Sequence, residues 1–282
     1  MTCRISRRDL LGIMAASWAS PLLDHLRSTP LHAAAITAPR LILGVASYSF
    51  REFPLDRALV MAKTLGVTHM TFNPVHVPRT DPPETTRALR ARIEAAGMTI
   101  VGGGTLRIPN DPAEIERTFE YAKNAGFPLI YIDPDPGALD AVEQLARSYD
   151  IKVAIHNHGP EDKRWPRPQD GYAAIKTRDR RLGLCVDIGH TFRTGTDPVQ
   201  ACRECRDRLY DMHVKDLAAR GEKESQVEVG RGLIDFPALF RTLIEIGYQG
   251  QVGLEYEINP KDPLPGMIES MAYMRGVLAA VG

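Results

Sequence analysis

Leu182-Gly183-Leu184-Cys185-Val186-Asp187-Ile188-Gly189-His190 is a short apolar run that closes on an acid and then on a histidine. The pattern returns downstream, where Leu209 to Met212 closes on His213 and Val252 to Leu254 closes on Glu255. Upstream, the run beginning at Lys152 closes on His156-Asn157-His158-Gly159. Short apolar runs between polar turns read as buried strands. Adjacent strands of one sheet bring their ends together however far apart they lie in sequence. A lone histidine at such a place is more often a hydrogen-bonded structural residue, but candidates at four consecutive strand ends favour a site. Imidazole nitrogens and carboxylate oxygens suit a divalent first-row ion.

Outward from this region the chain repeats one theme from Leu41 onward. Strands are expected at Leu41–Ala46, Val67–Phe72, Thr99–Gly102, Leu129–Asp133, Lys152–His156, Leu182–Asp187, Leu209–His213 and Val252–Glu255. Helical patterns follow each in turn, from Leu55–Leu65 to Pro265–Val281, and glycines such as Gly126 stand where helix C-caps belong. Eight strand–helix pairs without a composition break predict a single (β/α)8 TIM barrel over residues 36–282. An open doubly wound sheet is disfavoured: Gly102-Gly103-Gly104 follows the third strand without the dinucleotide-binding spacing, and no phosphate loop is present. Those glycines are expected to clear space beneath a substrate.

The 282 residues are 44% hydrophobic and carry 35 basic against 35 acidic side chains, an ordinary globular balance with nothing that tracks nucleic acid. The first 35 residues read differently. Arg7-Arg8, the apolar stretch Leu10 to Leu23 and Ala33-Ala34-Ala35 resemble a twin-arginine export signal, which implies a periplasmic or otherwise extracytoplasmic protein, free of the membrane once cleaved and slightly acidic. Cys3 lies in that segment and Cys185 on a strand, while Cys202-Arg203-Glu204-Cys205, on an expected helix, reads as packing cysteines or a local disulfide.

In such barrels chemistry sits at the C-terminal ends of the strands, and the ionisable residues expected there crowd the second half of this chain. Val186-Asp187-Ile188-Gly189-His190, Met212-His213-Val214-Lys215-Asp216, Val229-Gly230-Arg231-Gly232 and Leu254-Glu255-Tyr256-Glu257 resemble the xylose isomerase-like TIM-barrel superfamily of sugar isomerases and epimerases. Its members include tagatose epimerases, hydroxypyruvate isomerases, inosose dehydratases and, more distantly, endonuclease IV. The similarity runs from Leu41 to Gly282. It implies one divalent metal ion (Mn, Co, Ni, Zn or Mg) held by a strand-five residue with Asp187, His213 and Glu255, and substrate contacts from His190 and Arg231. The family places an acid on strand five where this chain has His156, with Asn157 and His158 beside it as alternatives.

The expected activity is proton abstraction next to the carbonyl of a small carbohydrate, with Glu255 or Glu257 as base and His158, His190 or Lys215 as acid. Isomerisation or epimerisation is the first reading, elimination of water or a glycosyl group the second, and a non-catalytic sugar-binding barrel the alternative from another class. A nuclease reading is disfavoured by the single ligand set and the lack of a basic face. Trp165 in the Pro160–Pro168 loop is read either as a stacking platform or as packing, Tyr48 and His76 as pocket residues, and Lys215 either as functional or as an ion-pair partner of Asp216. A homo-oligomer is compatible with all of these readings.

Overall fold

Eight parallel strands close on themselves in the structure, a computed structural model that describes residues 41–282; the arginine pair, Cys3 and Ala33-Ala34-Ala35 lie outside the described residues. The chain runs β1 (Ile42–Ala46), α1 (Leu55–Thr64), β2 (His69–Phe72), α2 (Pro83–Ala95), β3 (Thr99–Ile108), α3 (Pro112–Ala125), β4 (Leu129–Pro134) and α4 (Leu139–Tyr149). It continues through β5 (Lys152–His156), α5 (Pro168–Ile175), β6 (Leu182–Asp187), α6 (Ile188–Arg193), α7 (Pro198–Glu204) and β7 (Leu209–Val214). The antiparallel pair β8 (Asp216–Leu217) and β9 (Gln226–Val227) precedes α8 (Phe236–Glu245), β10 (Gln251–Leu254) and α9 (Leu264–Val281). Around the barrel the order is β1, β10, β7, β6, β5, β4, β3, β2.

Local chemistry explains the boundaries. Asp111 and Asp197, each directly before a proline, and Asp235, with Pro237 in the first turn, cap α3, α7 and α8 by accepting backbone N–H bonds. Gly126 ends α3 in the left-handed conformation with φ 69°, which a side chain would strain. β4 and β6 are buried along their whole length, as strands covered on both faces must be. The main core fills the layer between barrel and helices, and a smaller cluster of Leu129, Tyr131, Ala154 and Cys185 lies apart from it.

Two expectations are corrected and a third is narrowed to one of its alternatives. β3 runs on to Ile108 instead of stopping at Gly102. A Cβ on Gly103 would meet the Phe127 ring at 1.9 Å and one on Gly102 the Tyr131 hydroxyl at 2.8 Å, so the glycines make room for protein side chains and not for a substrate. Cys185, Cys202 and Cys205 are all free and buried, which leaves the packing reading of the CxxC.

Candidate metal centre and adjoining pocket

Side chains two apart on a strand share a face. Tyr131 and Asp211 are joined by a 2.5 Å hydrogen bond between β4 and β7, with Cys185 of β6 buried near them. One pleat further along, β5, β6 and β7 present His156, Asp187 and His213, and the residue after β10 is Glu255. One ligand atom from each of these four side chains lies within 4.8 Å of the others. The contacts are close: His156 Nε2 is 3.1 Å from His213 Nδ1, which is 3.3 Å from Glu255 Oε1, and His156 Nε2 is 3.8 Å from Asp187 Oδ2.

The step from Asp187 to His190 explains itself locally. Asp187 caps α6, its Oδ1 accepting from the His190 N–H at 2.8 Å, which leaves Oδ2 facing the cluster. Ile188 is core. Gly189 clears the stem of Lys215: a Cβ there would stand 2.3 Å from Lys215 Cγ. Asn157 fastens the strand ends, its Oδ1 accepting from Asp187 N–H at 3.0 Å while its Nδ2 donates to Asp187 O and Thr191 Oγ1 at 3.1 Å each.

Lys215 does not pair with Asp216. Its Nζ lies 2.9 Å from Glu255 Oε2 and 3.2 Å from Asp187 Oδ2 and also donates to Glu257. Asp216 instead accepts four backbone N–H bonds, from Leu217 and Ile234 on one oxygen and from Gly230 and Gly232 on the other, and so shapes the following loop.

Burial pulls the Lys215 ammonium toward neutrality, but Asp187, Glu255 and Glu257 outweigh it and hold its pKa well above the usual lysine range. For Glu255 burial is likewise overcome, by Lys215 and His213, and its pKa falls well below the carboxylate range. Burial keeps His156 neutral, with the neighbouring imidazoles acting in the same direction. His213 is raised because Glu255 outweighs burial. Three of the four clustered side chains hold a buried atom without a hydrogen-bond partner: His156 Nδ1, Asp187 Oδ2 and His213 Nε2. Of these only Asp187 Oδ2 faces the cluster, since His156 and His213 meet through Nε2 and Nδ1; an unpartnered carboxylate oxygen beside two imidazoles and a second carboxylate fits a divalent cation. Cys185 also lies near His156 and His213, but burial raises its thiol well above the ordinary range, which disfavours the thiolate that would ligate.

Beside the centre opens a cavity of ≈ 330 Å³ whose lining includes His190, Arg193, Lys215, Lys223 and Glu257. Arg193 Nη1 donates to His190 Nδ1 at 3.3 Å. Burial lowers the His190 pKa, so the neutral ring carries its proton on Nε2. His158 packs against His156 with ring centroids 4.7 Å apart, and its Nδ1 is 3.5 Å from Asp162 Oδ2.

Four expected substrate contacts stand elsewhere. His76 is buried, bonded to Ser47 Oγ and Phe53 O at 3.1 Å each. Trp165 is buried and its Nε1 donates to Pro134 O at 2.8 Å, which matches the packing reading. Arg231 is exposed and forks onto Glu269, with Nη2 to Oε2 at 2.7 Å. Tyr48 lies under the Arg51 guanidinium, 4.8 Å from its ring centre. The structure thus gathers His156, His158, Asp187, His190, His213, Lys215, Glu255 and Glu257, and leaves Tyr48, His76, Trp165 and Arg231 outside the cluster. Sequence reasoning overlooked Gly189 and Arg193 and gave Asn157 the wrong kind of task. Asp187 closing an apolar run, a residue type that favours N-caps, is a signal that points to a helix start there.

A family described as Xylose isomerase-like TIM barrel matches residues 59–277. An inosose dehydratase of Clostridium botulinum (strain Eklund 17B / Type B) is 25% identical over 154 residues, 49% of this chain and 51% of the relative. The rhizopine catabolism protein MocC of Rhizobium meliloti is 26% identical over 141 residues, 45% of this chain and 42% of that protein. These matches span about half the length of the relatives, 51% and 42%. In fold, the chain is similar to 3-keto-D-glucoside 4-epimerase, YcjR, from E. coli, with TM-score 0.68, 19% identity and coverage of 84% of this chain and 99% of that one. An L-ribulose 3-epimerase aligns with TM-score 0.69 and 16% identity over 86% of this chain and 95% of its own.

Proposed function

The chain belongs to the xylose isomerase-like TIM barrel family, and on that premise we propose that it is a metal-dependent lyase that removes a proton next to the carbonyl of a keto-sugar or keto-cyclitol and expels a β-oxygen substituent. The observation that carries this reading is an asymmetry. Both carboxylates suited to base work, Glu255 and Glu257, meet on Lys215 at the β10 end, while β5 offers the imidazoles of His156 and His158 in place of a matching carboxylate. The inosose dehydratase similarity points the same way.

His156, Asp187, His213 and Glu255 would hold one divalent ion, which when bound would polarise a substrate carbonyl and acidify the adjoining C–H. Glu257, lining the cavity, takes the proton from carbon; Lys215, in contact with both glutamates, fixes its orientation. The freed electron pair forms the carbon–carbon double bond as the β-oxygen departs. His190, with its proton on Nε2, donates a hydrogen bond to that oxygen as it departs, the proton taken up by Glu257 completes it, and the products are an unsaturated ketone and water or an alcohol.

Isomerisation or epimerisation shares the first proton transfer, and His158 beside His156 is the feature in its favour, because an imidazole there returns the proton to carbon. A panel of keto-cyclitols, keto-sugars and keto-glycosides, deuterated next to the carbonyl, separates the readings. Elimination gives enone absorbance and loss of label to water; isomerisation conserves mass and gives no absorbance. Glu257→Gln should lower kcat by about 100-fold or more. Turnover with complete retention of label, or full activity in Glu257→Gln, would contradict the proposal.

A further inference from the structure

Resting on the metal-centre reading above, we infer that the second imidazole makes this centre selective among divalent ions, shifting it toward zinc-like and nickel-like ions at the expense of manganese and magnesium, while Lys215 sets the strength of binding without setting the choice. The donor set is two nitrogens and two carboxylates from residues that are all buried or nearly so. Nitrogen donors favour the later first-row ions, whereas magnesium and manganese favour carboxylate, carbonyl and water oxygens. His156 is the residue that tips this balance, since an acid in its place would make three oxygen donors to one nitrogen.

Charge supports the same division. Asp187, Glu255 and Glu257 bring three negative charges, and the ammonium of Lys215 touches all three. A divalent ion brings the sum to neutrality with Lys215 still charged. The stem of Lys215 is held where it is by the missing side chain of Gly189. An ammonium is a point charge and repels every divalent ion alike. It therefore weakens binding of zinc and manganese by the same factor.

The test uses the purified full-length protein, stripped with chelator and titrated separately with Zn, Ni, Mn and Mg by calorimetry or chelator competition. All sites prefer zinc to manganese to some degree, so the informative quantity is the change in the Zn:Mn affinity ratio between variants. In His156→Glu the ratio should fall by about tenfold or more. His156→Gln, which exchanges nitrogen for a neutral oxygen, should lower the ratio too and separates donor type from charge. Lys215→Met should tighten zinc and manganese by a common factor of about ten and leave the ratio unchanged. An unchanged ratio in both His156 variants, with folding verified by circular dichroism, overturns the selectivity, and a changed ratio in Lys215→Met overturns the role given to the lysine. Failure of the unmodified protein to bind any of the four ions would defeat the metal centre itself, which is a different outcome from binding without discrimination.

Discussion

At the scale of single residues, Gly189 shows how much of the centre depends on what is left out. Its hydrogen is the gap through which the Lys215 stem passes, and the first atom of any side chain would stand 2.3 Å from Cγ and 2.7 Å from Cδ. Lys215 is buried and tied at its tip to three carboxylates, so it has little room to yield. Gly189→Ala should cost about 1–3 kcal/mol in denaturant unfolding and loosen the Lys215–Glu257 contact. Unfolding indistinguishable from the parent would show that the stem moves aside freely. The clustered acids and histidines were legible in the sequence because each closes an apolar run. The direction of side chains on loops was not. Trp165 supported two readings until its indole was seen donating to Pro134 O, and Arg231 was expected on a substrate because nothing in Gly-Arg-Gly announces Glu269, far along the chain on α9.

At the scale of elements, the strands that frame the centre are pinned at their opposite ends by a residue the sequence did not single out. Arg208 is buried just before β7, and its guanidinium donates to the carbonyls of Asp179, Leu182 and Arg178 at 2.7 Å each and of Lys176 at 3.0 Å. Removing it strands four acceptors between α5 and β7. Arg208→Ala should lower stability by about 3 kcal/mol, read by urea unfolding, with metal stoichiometry unchanged because the cluster lies at the other end of the strands. Loss of metal binding in a folded Arg208→Ala protein would contradict that separation. Strands with flat apolar runs were located to within a residue or two, whereas β3 was ended at Gly102 because the three glycines were given to substrate space. Their meaning depends on Phe127 and Tyr131 packing against them, a tertiary fact. The six residues of α6 are too few to show helical periodicity.

At the scale of the whole molecule, eight repeats of strand and helix specified the closed barrel, since a repeating alternation with buried parallel strands has few other ways to satisfy its edges. Among the described residues no helix is long and apolar enough to cross a membrane. For the first 35 residues, which lie outside the described part, the proposal is export by the twin-arginine route. Replacing Arg7 and Arg8 with Lys should leave the chain in the cytoplasm in a fractionation experiment, and unchanged export would argue against it. The side-by-side order of β5, β6, β7 and β10 turns four distant residues into one centre, and the central claim is that this centre holds an ion. Elemental analysis of the purified, metal-loaded protein beside its Asp187→Ala variant puts this to the test. One divalent ion per chain in the parent and none in the variant, with both folded by circular dichroism, is the predicted result; no ion in the parent, or full metal content in Asp187→Ala, would contradict it.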